Sequence, residues 1–225
     1  AGISLAIAQE RAADSAVRPW TQAQAGRSVT GLQRAICDLL QERDQRSPES
    51  RMRAKLEQWV VPLFPRLRAQ RAVAMLRRLT ALVPPRTTAA VIRTLWSGWR
   101  TSRRFGCRRA CLYCGMEDGG SVEHASVCGA LARFGARYLR LPYVSEVGPR
   151  RLSFLLLGPP SELTAMRLTL GASLVAAAYR LHCRFRNQRA ELRGEEAVRR
   201  ALEQAVKEAV QGNHGATTIF DARWT

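Results

Sequence analysis

The stretch LTAMRLTLGASLVAAAYRLHCRF, residues 163–185, decides the fold class. Its apolar positions Leu163, Met166, Leu170, Leu174, Ala177, Leu181 and Phe185 recur every three or four residues, the spacing of one face of an α-helix. This is the clearest helix in the chain and is expected to lie in the core. Its longest apolar run, Leu168 to Tyr179, is closed by Arg167 and Arg180. That run is well short of the roughly 20 helical residues needed to cross a bilayer, so no membrane span or membrane partner is expected.

Outward from this helix the pattern stays helical. Gly158, Pro159 and Pro160 mark a turn before it, with Ser161 as a cap. After Gly194 an amphipathic helix turns Val198, Leu202, Val206 and Val210 inward, and Gly212 stops it. On the N-terminal side, Leu131 to Leu139 reads as a short helix and Leu141 to Val144 as extended, while Leu152 to Leu157 reads equally as strand or buried helix. Further back, one helical face runs through Val29, Leu32, Ile36, Leu39 and Leu40, and a second through Met52, Leu56, Val60 and Leu63 to Pro65. A third helix follows to about Leu82. After Pro84 and Pro85 a helix from Arg86 to about Phe105 is expected, with Ile92, Leu95, Trp96 and Trp99 on its apolar side. The chain therefore reads as all-α, with a small insert between two helical regions. The expected divisions are a loosely ordered lead-in (1–27), a basic helical region (28–105), the insert (106–130), a C-terminal helical region (131–212) and a loose tail (213–225).

The chain has 225 residues, 46% of them apolar, enough for one sizeable core or two small ones. It begins at Ala1 without a basic n-region or apolar h-region, so it reads as a piece of a longer protein with no signal peptide. Its formal charge is +18, and all 36 basic residues except Lys55 and Lys207 are arginine. Arginine offers planar bidentate donors suited to phosphate, so a polyanionic partner is the natural expectation. From Arg51 to Arg109 there are fifteen basic residues and one acid, Glu57. On the expected helix, Arg86, Arg93, Arg100 and Arg104 fall within about 40° of one another at 100° per residue. With Arg103, Arg108 and Arg109 they form the candidate phosphate-binding set. The plainer reading is a solvated face.

The insert carries the sharpest motif, CLYCGMEDGGSVEHASVC, residues 111–128. Cys111 and Cys114 form a CxxC pair on a tight turn, and His124 and Cys128 lie four apart, on one side of a short helix. Gly115 allows the turn after the second cysteine, and Gly119 and Gly120 close the loop. Four such ligands complete a tetrahedron around a zinc ion with no position left for water, which makes the metal structural and leaves Glu123 without a catalytic role. A redox CxxC, unrelated buried thiols, or Cys107 in place of a ligand are the competing readings. Six cysteines without an even ladder of spacings fit a reducing, intracellular compartment. Cys37 reads as core, and His182 and Cys183 are adjacent and cannot share a helical face.

These residues resemble a known family, the zinc-binding region downstream of the reverse transcriptase domain in non-LTR retrotransposon polyproteins. The likeness lies in the CxxC pair, the acidic turn at Glu117 and Asp118, the HxxxC pair, and the approach TLWSGWRTSRRF at residues 94–105. It spans about residues 85–189 and is strongest from Leu95 to Cys128. The resemblance implies a zinc-stabilised module that helps hold RNA or DNA beside a polymerase domain of the same polyprotein, with Cys111, Cys114, His124 and Cys128 as ligands.

No enzyme is expected. The polymerase's paired aspartates and an endonuclease's carboxylate and histidine set are absent, as are a phosphate-cradling glycine loop and a nucleophile–base pair. The expected function is therefore a nucleic-acid-binding module whose zinc fixes the loop and whose arginines contact RNA or DNA phosphates without sequence preference. Trp96, Trp99, Phe105 and Tyr113 are candidate stacking groups, although most read as core. The alternative is a structural or protein-interaction domain held together by zinc.

Overall fold

In the computed structural model the described residues are 47–57, 59, 65–99, 101, 109–117, 119–158, 163–187 and 194–224. The chain divides into two units, 1–47 and 48–225, and everything below concerns the second. The lead-in, the helical face from Val29 to Leu40 with Cys37, the cap Ser161, and Arg100, Arg103, Arg104, Phe105, Cys107 and Arg108 lie outside the described residues.

Among the described residues all regular structure is helical. The helices are α1 (Pro48–Glu57), α2 (Pro65–Leu82), α3 (Pro85–Leu95), α4 (Val122–Ala125), α5 (Gly129–Leu139), α6 (Val147–Phe154), α7 (Ala165–Asn187), α8 (Glu195–Val210) and α9 (His214–Trp224). The long apolar stretch forms α7, against which α2, α3, α5, α6, α8 and α9 all pack. Its periodicity marks one face, yet every residue from Leu168 to Ala178 is buried. Gly171, Ala172, Ala176, Ala177 and Ala178 explain this: short side chains around the rest of the circumference let neighbouring helices approach closely. The hydroxyl of buried Ser173 donates to Thr169 O, 2.8 Å away.

The helix expected from Arg86 to Phe105 ends at Leu95. Ser97 takes the left-handed conformation (φ 49°), its N–H donates to Thr94 O, and the Gly98 N–H reaches Arg93 O. This closing pattern satisfies the last carbonyls of a helix. The turn lets Trp99 enter the core, where it is 1% exposed and donates its indole N–H to Thr94 Oγ1. Buried Trp59 donates to Leu95 O at the same helix end. Two buried indoles thus compete with helix continuation and win. The buried face of α3 is Thr87, Thr88, Ala90, Val91, Thr94 and Leu95, whereas Ile92, expected inside, is 38% exposed.

α1 stops at Glu57, earlier than expected, and a turn leads to Trp59. Val60 and Leu63 lie outside the described residues. α5 forms as expected, and α6 takes Pro149 in its first turn before buried Leu155, Leu156 and Leu157 seal its end. α8 buries Val198, Leu202, Val206 and Val210, and Gly212 (φ 87°) follows its end. The expected loose tail is instead helix α9, capped by Asn213 Oδ1 on the Ala216 N–H and anchored by buried Ala216 and Phe220. One cap and two apolar contacts four residues apart suffice once α5, α7 and α8 offer a surface to receive them.

Two adjacent threonines on α3 separate a satisfied hydroxyl from an unsatisfied one. Thr87 Oγ1 donates to Ala209 O of α8 at 2.6 Å, whereas buried Thr88 Oγ1 has no partner. Thr87→Val should destabilise the protein by about 1–3 kcal/mol, because it orphans a buried carbonyl. Thr88→Val should be neutral or stabilising, because it removes a desolvated hydroxyl while keeping the shape. Urea unfolding of the two variants followed by circular dichroism checks the sign of each.

Candidate metal centre

The cysteine segment folds around its own backbone. The Cys111 N–H donates to Met116 O and the Gly115 N–H to Cys111 O, which closes the CxxC turn, and Gly115 has φ 71°. The Gly119 N–H also donates to Met116 O, and the Gly120 N–H reaches back to Arg109 O. A Cβ on Gly119 would lie 2.7 Å from Cys111 Cβ and 2.8 Å from the Met116 carbonyl oxygen, so only glycine fits there. Ser121 caps the single-turn helix α4 by accepting from the His124 N–H at 3.0 Å. This turn presents His124, and Cys128 sits at the N-cap of α5.

The ligand atoms of Cys111, Cys114, His124 and Cys128 all lie within 4.8 Å of one another. Cys111 Sγ and Cys128 Sγ are 3.9 Å apart, and Cys114 Sγ is 3.2 Å from His124 Nε2. Zinc–sulfur and zinc–nitrogen bonds of about 2.3 and 2.0 Å give tetrahedral edges of about 3.5–3.8 Å, so this set could hold such an ion. His124 turns Nε2 to the sulfurs. The Tyr113 N–H points at Cys111 Sγ, 3.4 Å away, a contact that favours a thiolate. Cys111 and Cys128 are buried while Cys114 is exposed, so the centre faces solvent on one side only.

Without a metal, the sulfurs compete for protons. The contact with Cys111 holds the Cys128 thiol down to about 4 against the opposing effect of burial, helped by His124 and the first amides of α5. The same contact, together with burial, pushes the Cys111 thiol up strongly. Burial raises Cys114. The close contact of Cys111 and Cys128 therefore favours one shared proton and one thiolate for that pair.

One tether was not read from the sequence: Tyr113, inside the CxxC pair, buries its ring and donates its hydroxyl to Ala178 O of α7 at 2.6 Å. Burial holds that phenol well above its usual range, so it remains a donor. A tyrosine between two ligands is a weak sequence signal, because nothing local names its acceptor 65 residues away. On the other side, Arg150 of α6 donates to Val127 O and Val144 O, fastening the HxxxC segment to the loop after α5.

The candidate phosphate-binding arginines are not brought together as one helical row. Arg86 is spent on α8, donating to the carbonyls of Glu208 and Gln211. Arg93 lies over the ring of Tyr179, 5.7 Å from its centroid. Arg109 is exposed beside the metal group. The remaining four lie outside the described residues, and the end of α3 at Leu95 removes the helix that was to align Arg100 and Arg104 with Arg86 and Arg93. Of the candidate stacking groups, Trp99 and Tyr113 are buried and Trp96 packs against the core. His182 stacks on Trp99 at 5.2 Å, and among the described residues no other metal-holding group includes it or Cys183. No family model, curated protein or solved structure matches this chain.

Two measurements test this centre. Gly119→Ala should lower metal affinity at least tenfold while leaving total helicity near that of the parent, since the clash falls on Cys111 and the turn rather than on α7; a chelator competition titration reads this. Zinc added to the metal-free protein at pH 8 should release about two protons from the thiols, one from the Cys111–Cys128 pair and one from Cys114, which burial raises. Acidification should reverse binding as protons recapture the thiolates. An indicator-dye titration counts the release.

Proposed function

We propose that this chain is a structural-zinc module that binds nucleic acid through phosphate contacts made by arginine. The observation that carries the reading is the closed Cys3His group, whose four ligand atoms lie within 4.8 Å of one another and leave no position for substrate. Such a site fixes a loop rather than performing chemistry, and the loop it fixes belongs to a chain of net charge +18. The CxxC and HxxxC spacing and the tryptophan- and arginine-rich approach support descent from the region downstream of a retroelement reverse transcriptase, where the natural companion would be that polymerase domain. No catalytic role is assigned to any residue.

A second reading, a purely structural or protein-interaction domain, is favoured by one observation. Arg78, Arg86, Arg150 and Arg151 all spend a guanidinium on backbone carbonyls of the same chain. Part of the basic excess is therefore internal scaffolding. Binding measured against salt separates the two readings. The nucleic-acid reading expects one equivalent of zinc by elemental analysis, lowered by Cys114→Ser. It also expects affinity for RNA or DNA that falls linearly on a log–log plot as salt rises, with little dependence on sequence. Zinc binding without measurable affinity for either nucleic acid near 0.1 M salt would leave the structural reading standing.

A further inference from the structure

Arginines that no carbonyl of the chain has claimed lie on α5. Arg133 and Arg137 are one turn apart on that helix, within about 40° of one another, and Arg140 forms its C-cap. All three are exposed, whereas the opposite face buries Leu131, Phe134, Gly135 and Leu139. The helix contains no acid, and among the described residues no carboxylate pairs with any of the three. From Arg133 to Arg140 is about 10 Å along the axis. Arg140 (φ 50°) turns the chain so that Leu141 N–H closes on Gly135 O.

Three residues further on, no more than about 11 Å of chain away, stands Tyr143. It is 52% exposed, so one face of its ring is open to a stacking partner. The guanidinium of Arg150 lies 5.8 Å from the ring centroid, and Arg150 is itself held by the carbonyls of Val144 and Val127. The ring is thus braced on one side and open on another, and it follows three exposed arginines, of which Arg137 lies over the ring of Tyr138, 5.4 Å from its centroid.

We propose that α5 and the loop that follows it bind a single-stranded nucleic acid, with phosphates along Arg133, Arg137 and Arg140 and a base stacked on Tyr143. This rests on the nucleic-acid reading above and names its surface and the strandedness of its ligand. A positively charged track beside an aromatic platform is the chemistry that recognises unpaired bases, which offer a π-face to stack. A duplex or an acidic peptide would satisfy the arginines while leaving the tyrosine ring bare.

The test uses the full zinc-loaded chain and fluorescence anisotropy with three probes: an oligouridylate of about 15 nucleotides, a mixed-sequence duplex of the same length, and a polyglutamate peptide. The variant R133Q/R137Q/R140Q should bind oligouridylate at least tenfold more weakly, and its log–log salt slope should fall by about 2, three phosphates at about 0.7 each. The charge-matched control R53Q/R71Q/R77Q, also on exposed residues, should keep most of the affinity and the slope. Tyr143→Ala should weaken binding about tenfold without changing the slope, because stacking releases no counterions. Zinc content and helicity verify that each variant is folded, and the tyrosine variant decides the matter should the triple variant not fold. Equal losses in the control, or a duplex held as tightly and indifferent to Tyr143→Ala, would overturn the proposal. So would polyglutamate binding as tightly as oligouridylate. Should the parent protein bind neither nucleic acid, the broader reading fails as well; should it bind while both the triple and tyrosine variants bind like the parent, only this surface is wrong.

Discussion

The hydrogen bond from Tyr113 to the carbonyl of Ala178 ties a short cysteine turn to the most deeply buried part of the fold. Ala178 ends the run of α7 that is buried on every side. Tyr113 stands between two ligands, and its position fixes the CxxC turn relative to α7. Cys128, at the other end of the motif, begins α5, which packs on the same helix. The two halves of the ligand set thus approach each other from opposite attachments to one rigid element. A metal ion would close a gap that the core has already narrowed to 3.9 Å between Cys111 and Cys128. The energetic consequence is that part of the ordering cost of the site is met by burial in the core, leaving more of the ligand-binding free energy to show as affinity.

The arginines divide by what surrounds them. Where a helix ends or a loop crosses, a guanidinium reaches carbonyls that would otherwise lack partners: Arg86 at the end of α8, Arg150 across the loop after α5, Arg151 at Trp59. These contacts exploit the fork geometry that lysine lacks. On α8 the arginines instead meet acids one turn away, as Arg199 does with Glu196 and Glu203. Such surface pairs, part-buried at Glu203, neutralise the charge locally. Net charge is therefore a poor guide to where an anion would bind. The informative arginines are those that neither a carbonyl nor a carboxylate has claimed.

Much of the helical architecture was legible because period and punctuation agree. Val198, Leu202, Val206 and Val210 mark α8, and Gly212 marks its end without reference to the rest of the chain. The ligand set was legible for a similar reason, since its spacings are local and its geometry follows from two tight turns. What escaped the sequence depends on partners far away in the chain. α3 could have run on past Leu95, and it stops because Trp59 and Trp99 both find hydrogen-bond acceptors near its end. Residues 214–224 carry too few apolar positions to be read as a helix alone, and they gain one from surfaces on α5, α7 and α8. Arg133 and Arg137 were visible at a helical spacing all along. The run of arginines before the motif does not form one helical row, because α3 ends at Leu95.

The position of Cys128 connects the metal to the surface beyond it. As the N-cap of α5, it is one residue from the first turn of the helix that carries Arg133 and Arg137, and the would-be Cβ of Gly129 comes within 3.3 Å of the Arg133 guanidinium. Fixing the sulfur fixes the direction in which α5 leaves the metal group. A thiolate there also suits the positive end of the helix dipole, which would repel the nearby arginine were no negative charge in place. A metal held by Cys128 would therefore fix the residue at the N-cap of α5, and the helix sets the spacing of its arginines.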